Sequence, residues 1–188
     1  ELTRKNEHFK LLTEIGMDLT QDLSIVQIIE TVHACVSNIM ESHSFAIGIL
    51  DKENNRLHFP KFIENNKIYN DIYHSLDEHI LATICVKDKA EIVMNDVANE
   101  MRHFSEKKLT HTNGHYPSSV LCMRLISNGE IIGVITVQSL YKYAYKKGQI
   151  EFLRTISIYV SSALANALLH ESLQVNSTKK FKDSEDKA

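Results

Sequence analysis

Ser119-Val120-Leu121-Cys122-Met123-Arg124-Leu125-Ile126, then Ser127-Asn128-Gly129, then Glu130-Ile131-Ile132-Gly133-Val134-Ile135-Thr136-Val137-Gln138-Ser139-Leu140, is the stretch that decides the fold. Asn-Gly between two runs of apolar and β-branched residues marks a tight hairpin, because both turn residues tolerate positive φ. Two antiparallel strands are therefore expected over 119–126 and 130–140. A polar, aromatic segment over 141–148 follows. Ile150, Leu153, Ile156, Val160, Leu164 and Leu168 then recur at helical spacing, which predicts one long amphipathic helix from 148 to about 174. Strands followed by a closing helix indicate an α+β fold and not a helical bundle.

Length and composition narrow the class. A chain of 188 residues that is 43% hydrophobic with two prolines supports one substantial core. A single domain is expected over 1–172, with 173–188, rich in Ser, Thr, Lys, Asp and Glu, as a polar linker or disordered tail. A net charge of −3 argues against a nucleic-acid partner, which would require clustered Lys and Arg. The doublets Lys146-Lys147 and Lys179-Lys180 read as solvated surface. No apolar run approaches the ~20 residues of a membrane helix, so no membrane contact is expected. The chain starts at Glu1 without a charged leader or signal segment and reads as a piece of a longer cytoplasmic protein. Cys35, Cys85 and Cys122 are widely spaced in apolar sequence, as buried reduced thiols are.

The N-terminal half is read from its periodicities. Phe9, Leu12, Ile15 and Leu19 form a helical stripe. Ser24 and Gln27 have capping-box spacing ahead of Ile25, Ile28, Ile29, Val32, Val36 and Ile39, a helix ending near Glu41. Residues 44–50 form a strand with Ala46 and Gly48 on one face and Phe45, Ile47 and Ile49 on the other, so the small-residue face leaves room beside it. A returning strand over 57–62 contains Pro60, which suits an edge or a bulge. No period is evident over 63–75. A short helix is expected over 76–86, a short strand over 91–94, and a long connection over 95–117 with a brief helix around 104–109. Long connections in compact domains are commonly binding loops or lids.

This order of elements resembles a GAF domain. Ser119 to Met123 followed by Ile132-Gly133-Val134-Ile135-Thr136-Val137-Gln138-Ser139 is similar to the most recognisable GAF segment. Ala163-Leu164-Ala165-Asn166-Ala167-Leu168-Leu169 resembles the closing helix, and Ile92-Val93-Met94-Asn95-Asp96 the short strand and Asp of the family. The resemblance spans about 7–171. It implies a six-stranded antiparallel sheet with a terminal-helix bundle on one face. On the other face it implies a small-molecule pocket, roofed by the 76–86 helix and the long excursion.

The family's ligands include cyclic nucleotides, bilins, haem, amino acids and 2-oxo acids, and fold alone does not choose among them. The bilin-type Cys-His pair is missing, since Val, Val and Met follow the three cysteines. His103, His111 and His115 lie in the excursion, but Gly114 and Pro117 break helix there and no closed ligand set forms, so no metal or covalently bound cofactor is expected. The leading expectation is a cyclic nucleotide such as cAMP or cGMP. By the resemblance its contacts fall on Ala46, Phe62, Leu81, Ala82, Asp96, Phe104, Leu109 and Thr136, with Gly48 beside Ala46. Phe62 would stack on a purine and Asp96 would accept from an exocyclic amine; the competing roles are core packing for Phe62 and helix capping for Asp96. The cyclic-nucleotide signature is itself altered here: Ser105-Glu106 stands for Asn-Lys, Tyr145 for Phe, and Gln149-Ile150 for Asp-Glu. Arg124 interrupts an apolar strand, and either an anionic ligand or a path to solvent would accommodate it.

The resulting expectation is a non-enzymatic sensory domain without catalytic residues. It would relay allosterically to a C-terminal output such as a diguanylate cyclase, adenylate cyclase or histidine kinase. A parallel homodimer would form through the terminal helices, with Leu153, Ile156, Val160, Ala163 and Ala167 along its seam. The alternatives are a ligand-free dimerisation or relay module and a thiol-based methionine sulfoxide reductase. For the reductase, Cys85 and Cys122 stand in comparable places but Met94 replaces the third thiol.

Overall fold

Ser24 opens the first described helix through a reciprocal capping box: its hydroxyl accepts from the Gln27 N–H at 3.3 Å, and Gln27 Oε1 accepts from the Ser24 N–H at 2.9 Å. Two donors that helix geometry leaves orphaned are thereby satisfied. The computed structural model describes residues 24–88, 90–104 and 116–185, so the helix expected over 9–19 lies outside the described residues. After α1 (Ile25–Ile39) come β1 (Ser44–Asp51), β2 (Arg56–Glu64), β3 (Lys67–Ser75), α2 (Leu81–Lys87), β4 (Ile92–Met94), α3 (Val97–Phe104), β5 (Ser119–Ser127), β6 (Glu130–Ser139) and α4 (Lys147–Glu185).

The strands form one antiparallel sheet in the order β3-β2-β1-β6-β5-β4. The β5–β6 hairpin turns on Asn128 and Gly129, both at positive φ (50° and 78°), as Asn-Gly predicts. Strand alternation sorts the core into two layers. Phe45, Ile47, Leu121, Ile135 and Val137 meet α1 and α4 on one face. Ala46, Phe59, Cys122 and Val134 meet α2 on the other.

Several expectations need correction. The aperiodic 63–75 segment contains β3, an edge strand whose side chains are nearly all exposed. Without a buried face it carries no alternation to read. Its turn is another positive-φ pair, Asn65 and Asn66. β2 is interior, not an edge, and Pro60 sits where the β1–β2 register shifts, opposite Asp71 at φ 53°. That bulge removes the need for a ladder donor at proline. The 76–86 helix begins only at Leu81, because the Thr83 hydroxyl, 2.9 Å from Ile80 O and 3.3 Å from the Ile80 N–H, closes its first turn there. The brief helix expected around 104–109 lies, beyond Phe104, outside the described residues; the long connection contains α3 before it. Glu100 Oε1 fixes the start of α3 by accepting from the N–H groups of Asn95 (2.8 Å) and Asp96 (2.7 Å), an anion at a helix N-terminus.

The last helix also differs. Its backbone continues to Glu185, through much of the segment read as a polar tail. Over Lys147–Val175 it is long and apolar enough to cross a membrane by length and composition, and half of its apolar 18-residue window is buried inside the protein. The apolar residues are spread at helical spacing, so a search for a continuous run misses them. The expected dimer seam is also taken: Leu153, Ile156, Val160, Ala163 and Ala167 are all buried in the domain's own core against the sheet.

β1 and β6 approach closely at Gly133, where a Cβ would stand 2.2 Å from the Gly48 carbonyl oxygen, a backbone atom pinned by the sheet. Gly133→Ala is expected to cost about 1–3 kcal/mol, the range for overpacking, seen as a lower urea midpoint at unchanged slope. Gly148→Ala, with nothing within 4 Å of its Cβ, should leave the midpoint unchanged or raise it.

Candidate functional site

Register brings part of the expected site together. Phe62 pairs with Ala46, Ala46 with Thr136, and Thr136 with Cys122. These residues therefore form one cross-sheet row on the α2 face. With strands ~4.8 Å apart, Phe62 and Thr136 stand about 10 Å from each other across Ala46. Ala46 is fully buried, Thr136 is 5% exposed, and Phe62 is half-buried against the same apolar cluster that holds Leu81 and Ala82. Two register positions along, on the same face, Ser44 pairs with Gln138, and Gln138 Nε2 lies 3.4 Å from Thr136 Oγ1. A short polar strip thus borders an otherwise apolar floor. Ser44 and Gln138 were not among the expected residues, although alternation alone puts them on the Ala46 and Thr136 face.

Other expected residues sit elsewhere. Gly48 is on the same face of β1, but its space is filled: a Cβ there would meet Phe59 Cε1 at 2.6 Å. Leu81 and Ala82 are packing residues of a helix whose members Leu81 to Val86 are all buried. Phe104 ends α3, and Leu109, His111 and His115 lie outside the described residues. No His, Cys, Asp and Glu grouping suited to a metal occurs among the described residues.

Asp96 immediately precedes α3 and is 6% exposed. Its Oδ2 accepts from Lys142 Nζ at 2.9 Å and from Asn99 Nδ2 at 2.8 Å, while Oδ1 is buried without a hydrogen-bond partner among the described residues. The Lys142 bond leads in holding this carboxyl below the ordinary aspartate range. Asp96 therefore has a structural ion pair, which fits the capping role more than that of an acceptor for a base. Lys142, 46 positions away, carries no local signal of this partnership. The altered signature residues are structural as well. Gln149 Oε1 accepts from the Lys146 N–H at 2.9 Å and its Nε2 donates to Ile39 O at 3.0 Å, so it caps α4 and ties it to the end of α1.

Arg124 is half-buried and lines a groove between the end of β5 and α4, beside Glu91 and Arg154. The structure thus places it apart from the Phe62–Ala46–Thr136 row. Cys85 and Cys122 are fully buried, with Cys85 Sγ 3.5 Å from Cys122 O. Burial, then the neighbouring Cys85, pushes the Cys122 thiol far up, and burial lifts Cys35 to about 11. Such thiols stay protonated and unreactive at neutral pH.

A group whose pKa is depressed by folding adds stability above its unfolded pKa and loses it as pH falls through the folded value. Asp96, lowered from 3.8, should therefore make the native chain more stable than Lys142→Gln at pH 5–7. That advantage should fade below pH 3.8 in urea titrations run at each pH. An advantage that persists undiminished at pH 2 would show that Lys142 acts by packing alone.

The comparisons with known proteins agree with this geometry. The GAF domain family model matches residues 22–165. No curated protein matches the sequence. Among solved structures, the GAF domain of an Acinetobacter phosphoenolpyruvate-protein phosphotransferase is similar at a TM-score of 0.74 and 16% identity, covering 87% of this chain and 96% of that one. Free methionine-R-sulfoxide reductase from Neisseria meningitidis, in complex with its substrate, gives 0.68 and 12%, with 87% and 91% covered. A GAF sensor protein from Burkholderia vietnamiensis gives 0.63 and 13%, with 85% and 95% covered. At these identities the neighbours establish the fold, and the family model, which covers most of the chain, establishes membership: the chain belongs to the GAF domain family.

Proposed function

We propose that this domain is a sensor that binds a small molecule over the Phe62–Ala46–Thr136 row and passes the effect through β6 to α4. The row itself carries the reading. It sets an aromatic face about 10 Å from a hydroxyl, with a flat alanine floor between them and Gln138 alongside. The proposed ligand is a planar heterocycle that displaces part of the cover over the buried Ala46, stacks on Phe62 and hydrogen-bonds to Thr136 and Gln138. The proposed class is a cyclic nucleotide, cAMP or cGMP, and the proposed output is a C-terminal cyclase or kinase of a longer cytoplasmic chain. Thiol catalysis is not proposed, although one structural neighbour is a sulfoxide reductase, because Cys85 and Cys122 are both fully buried and burial pushes the Cys122 thiol far up.

One observation favours a ligand-free relay as the second reading: Phe59 already occupies the space beside Gly48. Both readings are proposed to include a parallel homodimer, with a seam on a stripe of α4 other than the buried one. Ser162, Ala165, Leu169 and Ser172 alternate at three- and four-residue steps on the outward side of α4. Leu169 is 58% exposed. That stripe is proposed to meet its copy as a coiled-coil seam.

Thermal unfolding with millimolar cAMP, cGMP and a metabolite panel tests the sensor. A ligand at 100 times its Kd adds about 2.7 kcal/mol, and Phe62→Ala and Thr136→Val should each abolish the shift. If nothing in the panel raises the Tm, the relay reading takes its place. For the dimer, sedimentation should show the native chain as a dimer and Leu169→Glu as a folded monomer. A dimer that survives Leu169→Glu together with Ser162→Glu would rule out this seam.

A further inference from the structure

The groove between the end of β5 and α4 has a volume of about 190 Å³, the share of roughly six water molecules in the liquid. It exists because β4 is short. β4 pairs with Val120, Leu121 and Cys122 of β5, so from Met123 onward the outer edge of β5 has no neighbouring strand among the described residues. The Ile126 N–H is satisfied instead by Ser161 Oγ at 3.0 Å. The hydroxyls nearby are already engaged, Ser161 donating to Ser157 O at 2.6 Å and Ser157 to Leu153 O at 2.7 Å. Specificity in the groove therefore rests on its charges and its apolar walls.

The charges do not balance. Glu91 accepts from Arg154 Nε at 3.1 and 3.0 Å through its two oxygens, and from Arg154 Nη2 as well. Its lone pairs facing the groove are thus committed to one guanidinium. Arg124 pulls electrostatically on the same carboxylate but makes no hydrogen bond among the described residues. Two cations against one anion leave a single positive charge on a half-buried planar fork. The walls are Ile126 and Ile158, 42% and 70% exposed. A guanidinium fork matches the two oxygens of a carboxylate. The adjacent Glu91 would repel a dianion such as phosphate, and the isoleucines offer a surface to an alkyl chain.

We propose that this groove, separate from the Phe62–Ala46–Thr136 row, is a second ligand site, for a small monocarboxylate with a short aliphatic tail held by the Arg124 guanidinium with its tail between Ile126 and Ile158. The site does not depend on the sensor reading.

Hexanoate is the probe, titrated into the full chain carrying isotope-labelled isoleucine methyls. Saturable shifts are expected at Ile126 and Ile158, with none at Ile47 in the core. Arg124→Gln should weaken binding at least tenfold, and so should replacing hexanoate by hexanol, which keeps the tail and loses the charge. Glu91→Gln, which removes the repelling carboxylate, should tighten it. Thr136→Val should change nothing, which separates this site from the row. Non-saturable shifts, hexanol binding as well as hexanoate, unaltered binding by Arg124→Gln, weaker binding by Glu91→Gln, or equal competition by inorganic phosphate would each overturn the assignment.

Discussion

The pairing of β1 with β6 holds the domain together. Ser44 to Ile49 run antiparallel to Gln138 to Gly133, joining residues more than eighty positions apart. Among the described residues it is the strand pairing that joins the β3-β2-β1 half of the sheet to the β6-β5-β4 half. Closing so long a loop costs chain entropy that grows only slowly with length, and the closure must be recovered by what the completed sheet then buries. Both requirements meet at one spot. Gly133 lets its backbone lie against the Gly48 carbonyl, and Gly48 in turn admits the Phe59 ring. On either side of these two glycines the alternate side chains of β1 and β6 complete the two core layers.

The launch of α4 follows from that sheet. Ser119 pairs with Ser139 at the far end of the hairpin, and its hydroxyl lies 2.8 Å from Tyr141 O and 3.1 Å from Asn95 O, while accepting from the Ala144 N–H at 3.3 Å. The Asn95 side chain exchanges two hydrogen bonds with the backbone of Tyr145. The 141–145 segment is thus pinned to β4 and β5 just before the helix begins. From there α4 commits its inward stripe to the sheet, so the exposed Leu169 belongs to a separate set on the outward side. A heptad count alone cannot separate the two stripes, because both obey the same spacing. Burial can.

The elements that were legible from sequence are those that combine local chemistry with a buried face. The Ser24 capping box, the Asn128-Gly129 turn and the alternation of β1 all satisfy that condition. β3 fails it, since an exposed edge strand has no face to alternate, and only its Asn65-Asn66 turn betrays it. The site was legible in geometry more than in chemistry. Ala46, Phe62 and Thr136 meet because β1 pairs with both β2 and β6, which alternation and strand order suffice to deduce. Asp96 looks locally like an acceptor awaiting a ligand, and its actual partner, Lys142, arrives from a distant segment. Arg124 is conspicuous because charge is rare within an apolar strand. Its surroundings depend on how early β4 stops, a tertiary fact with no local counterpart.

Any signal from the row to α4 has to cross one strand. Thr136 lies on the α2 face, and its neighbours Ile135 and Val137 on β6 are fully buried on the other face, in the same cluster as Leu153, Ile156 and Val160 of α4. A close-packed layer of this kind does not absorb a shift of β6 by local compression. It transmits the shift as a change in the seat of the helix or it resists it. Which of these happens depends on whether a molecule on the row binds two arrangements of β6 with different free energies, because tight binding without that difference moves nothing. The Phe59 ring packed against Gly48 bears directly on this. It packs β2 against β1 next to the row, while on the other half of the sheet β5 packs against α4 more extensively than β6 does, so a displacement of β6 would reach the helix largely by way of β5.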